Sequence, residues 1–172
     1  MEFRIINIDD NKLREDIYTS YCRSFPEAER RNDDQFISLF GHPVARIFSI
    51  TDEEESVGYL ITWSLSRAVF IEHFEIFEQF RNRKYGSRVL ATFSEIHPRL
   101  VLETEPAHLD KVAERRVGFY DRNGFEIIDK NYRQPSYGDG KSALDLWLMT
   151  NYKHDDTAEL IREIYETVYG GL

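Results

Sequence analysis

Apolar residues alternate over residues 2–8, where Phe3 and Ile5, then Ile6 and Ile8, predict a first strand. Asp9 or Asp10 can cap a following helix, in which Leu13, Ile17, Tyr18 and Tyr21 recur at helical spacing until Pro26. A second helix is expected over 29–40, with Phe36, Ile37 and Phe40 on one face and Gly41-His42-Pro43 as its stop. Residues 44–50 and 57–65 read as two strands joined by the acidic turn 51–56, and 68–77 as a third strand rich in β-branched and aromatic residues. Val89, Leu90, Phe93 and Ile96 form a helical stripe over 85–97, closed by His97-Pro98. A short strand at 100–103 precedes a helix over 109–122 that ends in Asn123-Gly124, a good left-handed cap. Residues 125–128 and 143–149 are strand-like, separated by a loop over 132–141. From Asp155 an amphipathic helix carries Leu160, Ile161, Ile164, Tyr165 and Val168, with Gly170-Gly171 as its stop.

This order predicts an α/β (α+β) domain with an antiparallel front and a βαβ-like middle. There is no repeat or linker. The expected division is one domain over 1–150, with the helix of 151–172 packed upon it. A chain of 172 residues buries about 70% of its extended surface and needs no disulfide or metal staple. Cys22 has no partner for an internal disulfide, which suits a reducing compartment, and its aromatic surroundings read as inert filling. No apolar run reaches the ~18–20 residues of a membrane span, and MEFRIINIDDNK lacks the regions of a signal peptide. A cytoplasmic protein without membrane contact is expected.

Charge narrows the partners. Against 22 Lys and Arg stand 31 Asp and Glu, a net −9 that disfavours nucleic acid. The five histidines are scattered and Cys22 stands alone, so no metal site is expected. One segment inverts the balance: Arg81, Arg83, Lys84 and Arg88 put four cations into eight residues, between the strand 68–77 and the helix opened by Gly86-Ser87. A helix start approached by a cationic loop is a ready anion site, and the competing reading is a solvated basic turn.

Arg81-Asn82-Arg83-Lys84-Tyr85-Gly86 resembles the R/Q-x-x-G-x-G/A loop of the GCN5-related N-acetyltransferases, the GNAT superfamily, and Gly118-Phe119-Tyr120-Asp121-Arg122-Asn123-Gly124-Phe125 is similar to that family's F-Y-x-x-x-G-F signature. Lys84 departs from the loop pattern where the family has its first Gly, and Glu75 departs where small apolar residues are usual. The run from Phe70 to Pro135 also resembles uncharacterised bacterial members of the superfamily.

The resemblance implies a mixed, mostly antiparallel central sheet flanked by helices, with an extra C-terminal helix, and an acetyl-CoA-dependent N-acetyltransferase acting as a monomer or homodimer. It implies that acetyl-CoA lies along Phe74, Glu75 and Ile76 and on the loop Arg81, Asn82, Arg83, Lys84, Tyr85, Gly86 and Ser87. The same resemblance makes Tyr120 the general acid. For a general base, strand alternation puts Phe70, Glu72, Phe74 and Ile76 on one face, so burial among apolar neighbours is expected to raise the pKa of Glu72. A buried Glu72 satisfied by an arginine or a backbone N–H is the competing reading. His73 and Glu75 are rivals, and Glu103 and Glu105 could line an acceptor pocket, as could Tyr132, Tyr137 and Trp147. The acidic residues favour a cationic amine acceptor. A catalytically silent acyl-CoA-binding or partner-binding module on the same fold is the alternative, favoured by Lys84 and Glu75.

Overall fold

The computed structural model describes residues 1–138 and 140–170; Asp139 in the predicted loop and Gly171 in the predicted helix stop lie outside the described residues. Its strands are β1 (Glu2–Ile5), β2 (Ala45–Asp52), β3 (Glu55–Ser64), β4 (Val69–Ile76), β5 (Leu100–Thr104), β6 (Glu126–Asp129), β7 (Arg133–Gln134), β8 (Leu144–Asp145) and β9 (Trp147–Thr150). Its helices are α1 (Asn11–Ser24), α2 (Asp33–Ser38), α3 (Tyr85–Ile96), α4 (Lys111–Arg122) and α5 (Thr157–Ile164), the last continued by a π-helical turn, Tyr165–Tyr169. Seven strands form one sheet in the order β1-β2-β3-β4-β5-β9-β6, and β7 pairs with β8 apart from it. All pairings in the large sheet are antiparallel except β4 with β5.

The sheet is covered on both faces. Ile17 and Tyr21 of α1, Phe36 of α2 and Leu160 and Ile164 of α5 pack with Ile47, Ile61, Trp63 and Phe70 on one side. Val89, Leu90 and Phe93 of α3 and Tyr120 of α4 pack with Leu60, Ile71 and Leu102 on the other. Two helix starts are fixed by aspartates that accept main-chain N–H bonds: Asp110 from Val112 and Ala113, and Asp156 from Glu159.

The expected second helix is much shorter than 29–40. Residues 27–29 form a 3-10 turn, Arg30 is extended, and α2 starts only at Asp33 behind the reciprocal cap of Asn32 and Gln35. The interruption delivers Arg31 into the core, where it is only 1% exposed. The expected strand over 143–149 is broken into β8 and β9, and β8 pairs back onto the predicted loop.

Two departures from regular sheet shape the centre. Between Ile61 and Thr62 the β3–β4 register slips: Ile61 faces His73 and Thr62 faces Ile71, leaving Glu72 as an extra, bulged residue. Then β4 leaves β5. The parallel pairing covers Val69–Leu100, Phe70–Val101 and Ile71–Leu102, whereas β4 runs on to Ile76 beside β3 and β5 runs on to Thr104 beside β9. At its far end β4 is drawn tightly against β3. A Cβ on Gly58 would stand 2.1 Å from the Glu75 carbonyl oxygen, so only glycine fits there. The result is a fork in the sheet, open between the second half of β4 and the end of β5.

Candidate active site

A cleft of about 560 Å3 fills this fork. Glu72, Phe74, Glu75 and Ile76 form one wall and Leu102 and Glu103 the other. Phe80, Arg81, Asn82, Lys84, Tyr85, Gly86 and Ser87 close one end, with Arg116, Phe119 and Tyr120 from α4 and Ser24 and Phe25 from the end of α1 around the remainder. Each residue proposed from the sequence for the acyl donor thus lines this one cleft, apart from the exposed Arg83.

The loop has the geometry an anion needs. α3 starts without a side-chain cap, and its first helical bond runs from Arg88 N–H to the Lys84 carbonyl. The N–H groups of Tyr85, Gly86 and Ser87 therefore have no intrahelical acceptor. Lys84, at the position of the family's first glycine, sits at φ 62°, and Asn82 also has φ 62°. The lysine meets the left-handed conformation despite its Cβ, at a cost of roughly 1–2 kcal/mol. Lys84→Gly is accordingly expected to leave thermal stability unchanged or slightly raised, while weakening acetyl-CoA binding severalfold through loss of the ammonium; calorimetric titration and thermal melts check both. At Gly86 a Cβ would press to 3.0 Å from the Phe119 ring, so the glycine keeps α3 close to α4.

The cations divide in role. Arg88, grouped with the anion cluster by the sequence, makes a two-pronged pair with Asp52 at 2.9 and 3.1 Å, and the N-terminal ammonium also reaches Asp52 at 3.3 Å. It is a tether between α3 and the β2 end rather than a free phosphate ligand. Arg81 donates from Nε to the Ile76 carbonyl at 2.9 Å and from Nη2 to Glu75 at 3.3 Å, holding the end of β4. Glu75 turns toward α1, where Ser24 and Ser20 donate to it at 2.6 and 3.0 Å. Its bulk therefore lies on the far side of the strand from α3.

The expectation for Glu72 is corrected. The bulge places Phe70, Glu72 and His73 on the α1 side, while Ile71, Phe74 and Ile76 pack on the α3 side. Its side chain is 0% exposed although the residue as a whole is partly accessible, so Glu72 shows the cleft only main chain. The carboxylate accepts from Arg31 Nε at 2.9 Å, Trp63 Nε1 at 2.7 Å and the Tyr137 hydroxyl at 2.8 Å. Burial alone would push its pKa up, but Arg31, His73 and these hydrogen bonds outweigh it and hold the group below the usual carboxylate value. Such a carboxylate is a permanent anion and a poor proton acceptor.

Arg31 is the centre of that network. Its guanidinium lies between the rings of Trp63 (5.1 Å) and Tyr137 (4.9 Å) and donates to the Val168 carbonyl at 2.8 Å. Its N–H donates to the Tyr21 hydroxyl at 2.7 Å, and that hydroxyl lies 3.2 Å from His73 Nε2. Burial, only partly countered by Glu72, drops the His73 pKa to about 4, so the imidazole is neutral at pH 7.

Across the fork, Glu103 accepts hydrogen bonds from the Tyr132 hydroxyl and, at 2.9 Å, from that of Tyr169. Burial raises its pKa to about 8, with the Glu72 charge adding to the rise and the two phenols and Arg31 opposing it. Glu105 pairs with Arg116, and Glu29 is raised by burial and by Glu105. Tyr132 and Tyr137 thus serve the two buried carboxylates and do not line the cleft; Trp147 packs with His108 and Lys130. Tyr120 is buried against Phe119 and Phe125, and burial pushes its phenol up to about 12.

No protein-family model and no curated protein sequence matches this chain. Solved structures do. A Bacteroides thetaiotaomicron protein assigned to the GNAT acetyltransferase family superposes with a TM-score of 0.93 at 27% identity, covering 99% of both chains. Over its whole length the chain is similar to a GNAT-family protein and has that family's fold. More distant members share its fold: an aminoglycoside 6′-N-acetyltransferase in complex with coenzyme A (TM-score 0.61, 13% identity, 91% of this chain and 100% of that one), and Arabidopsis thaliana NAA60 in complex with acetyl-CoA (0.58, 15%, 87% and 96%). The mostly antiparallel seven-stranded sheet, forked at β4 and β5, is the GNAT architecture expected from the two motifs. Around it, Arg31, Arg116 and Tyr169 went unread in the sequence. Arg31 and Arg116 lie in polar runs that look solvated, and Tyr169 falls just past the apolar stripe of the terminal helix.

Proposed function

We propose that this chain is a GNAT member and transfers the acetyl group of acetyl-CoA to a primary amine of a cationic small molecule or peptide. The observation that carries the reading is the fork itself. Main chain of β4 left without a β5 partner leads through the loop 77–84 to the uncapped start of α3, and Tyr120 lines the same cleft. The residues fit the donor: N–H groups of Tyr85, Gly86 and Ser87 with the Lys84 ammonium hold its phosphates, and the open edge of Phe74–Ile76 pairs with its amide-bearing arm. Main-chain N–H groups at that edge also stabilise the thioester oxygen as charge develops on it, each worth ~2.7–4 kcal/mol.

Tyr120 supplies the proton that the departing thiolate needs. A pKa of about 12 keeps the phenol protonated. The burial that raises it acts equally on a thiolate formed beside it, so donor and acceptor rise together from their ordinary values of about 10 and 8.5. The acidic excess of the chain, 31 Asp and Glu against 22 Lys and Arg, favours a positively charged acceptor. The alternative of a silent acyl-CoA-binding module draws on Lys84 and Glu75, but one adopts the loop conformation and the other turns away to α1.

Thiol release from acetyl-CoA, followed across a panel of polyamines, amino sugars, amino acids and peptides, tests the reading. At least one amine is expected to accelerate release well above the rate of hydrolysis. Tight acetyl-CoA binding with no acceleration by any amine would favour the silent module.

A further inference from the structure

An acceptor amine that arrives as an ammonium ion must lose a proton before it can attack, and the sealed Glu72 is unfit to take it. We propose that Glu103 is the catalytic base for the acceptor amine and that Tyr169, on the π-helical turn at the end of the described chain, is its positioning residue. The inference rests on the acetyltransferase reading above.

Geometry carries it. Glu103 lies on β5 beyond the last β4–β5 pair, where the strand faces the fork on one edge and pairs through Leu148 of β9 on the other. It lines the cleft together with Tyr120, and its residue is only partly buried. The Tyr169 hydroxyl donates to the carboxylate at 2.9 Å and lies 3.1 Å from its other oxygen; Tyr132 donates to the same group. Tyr169 is itself fixed, accepting from Gln134 Nε2 at 3.0 Å, with its ring 5.5 Å from that of Tyr137. Two phenols from segments distant in sequence thus fix one carboxylate on a residue of the cleft wall. Tyr169 stands on the π-helical turn that follows α5, and such turns recur at functional sites.

The groups that set its titration are all in place. Burial raises the carboxyl to about 8, near the working range of a general base, and Glu72 on β4 raises it further; Tyr132, Tyr169 and Arg31 oppose. Tyr165 completes the phenols around it, and Arg116 of α4 lines the same cleft, paired with Glu105.

The step balances. Glu103 takes one proton from the acceptor ammonium, and the freed nitrogen lone pair forms a C–N bond to the thioester carbonyl carbon. The C–S bond breaks, its electron pair leaves on sulfur, and Tyr120 protonates the thiolate. The second nitrogen proton, shed as the amide forms, returns to the Tyr120 phenolate. Glu103 releases its proton to solvent, so one proton appears per amide.

The test is the pH profile of amine-dependent thiol release, measured as kcat/KM for the acceptor, with 13C NMR titration of labelled glutamate carboxyls. In the wild-type protein the rate is expected to rise about tenfold per pH unit up to about 8 and then level, and one glutamate carboxyl to titrate near that pH. Glu103→Gln should remove that carboxyl signal and the acidic limb, and lower the plateau by ~10²-fold or more, with acetyl-CoA affinity within about twofold. Tyr169→Phe, which deletes a hydrogen bond to the charged form, should retain the limb but move it up by about half a unit to one unit, with acetyl-CoA KM unchanged. An unaltered limb in Glu103→Gln, or no wild-type glutamate titrating above pH 6, overturns Glu103 as the base; an unmoved limb in Tyr169→Phe overturns its positioning role. Absence of any amine-dependent release by the wild-type protein sinks the acetyltransferase reading itself, and the wild-type rate alone tells the two failures apart.

Discussion

Arg31→Met is expected to lower the stability of the folded protein by about 3–5 kcal/mol at neutral pH, the cost of leaving a buried charge without its partner. Arg31 is 1% exposed and the Glu72 side chain 0%, so no water can replace the guanidinium. Methionine restores much of the volume between Trp63 and Tyr137 but none of the charge. The pH dependence identifies the cause. In the wild-type protein the Glu72 pKa lies below its unfolded value, so its contribution is present above that value and disappears as acid protonates the folded carboxylate. Without Arg31 the remaining burial raises the folded pKa above the unfolded one. The variant then loses stability as pH climbs from the unfolded value through the folded value, and its deficit narrows on acidification toward about pH 4–5. Urea unfolding at a series of pH values measures this. A deficit independent of pH would mean that lost packing, and not the stranded carboxylate, is responsible. Arg31→Met with Glu72→Leu should recover part of the loss, limited by the Trp63 and Tyr137 donors left without an acceptor.

The second large effect is on rate. Tyr120→Phe is expected to lower kcat for acetyl transfer by ~10²–10⁴-fold with acetyl-CoA affinity unchanged. Folding should be insensitive. The ring contacts to Phe119 and Phe125 survive in phenylalanine, so stability should stay within about 0.5 kcal/mol. With the phenol at about 12, the wild-type rate should show no descending alkaline limb from this group up to about pH 10. Stopped-flow thiol detection in both proteins checks these points. Equal turnover would remove Tyr120 from the chemistry while leaving the cleft's binding role intact.

What could be read from the sequence depended on how local its physical cause is. The strand-loop-helix around Arg81–Ser87 is legible because the charge inversion and the glycine at the helix start sit within a few residues. The Asn123-Gly124 stop is legible because left-handed backbone favours glycine, and Gly124 has φ 85°. The role of Glu72 was not legible in the same way. Period-two alternation carries no mark of a single inserted residue, and one bulge moved Glu72 away from Phe74 and Ile76 to the opposite face of β4. Its partner Arg31 lies 41 positions away, and Tyr169 meets Glu103 across 66. Those contacts are decided by how α1, α5 and the sheet pack, which no short window of sequence expresses. Lys84 falls between the two cases: the motif shows the departure, but only the backbone angle shows that the loop keeps its shape.

The claim that most needs testing is that the forked cleft joins an acetyl group to an amine. The direct measurement is a single-turnover reaction of the protein with acetyl-CoA and an accelerating amine, quenched and analysed by mass spectrometry for both products. One equivalent of acetylated amine per equivalent of free coenzyme A is the predicted result. Coenzyme A released without the amide, or acetyl-CoA held unconsumed beside the amine, would contradict it.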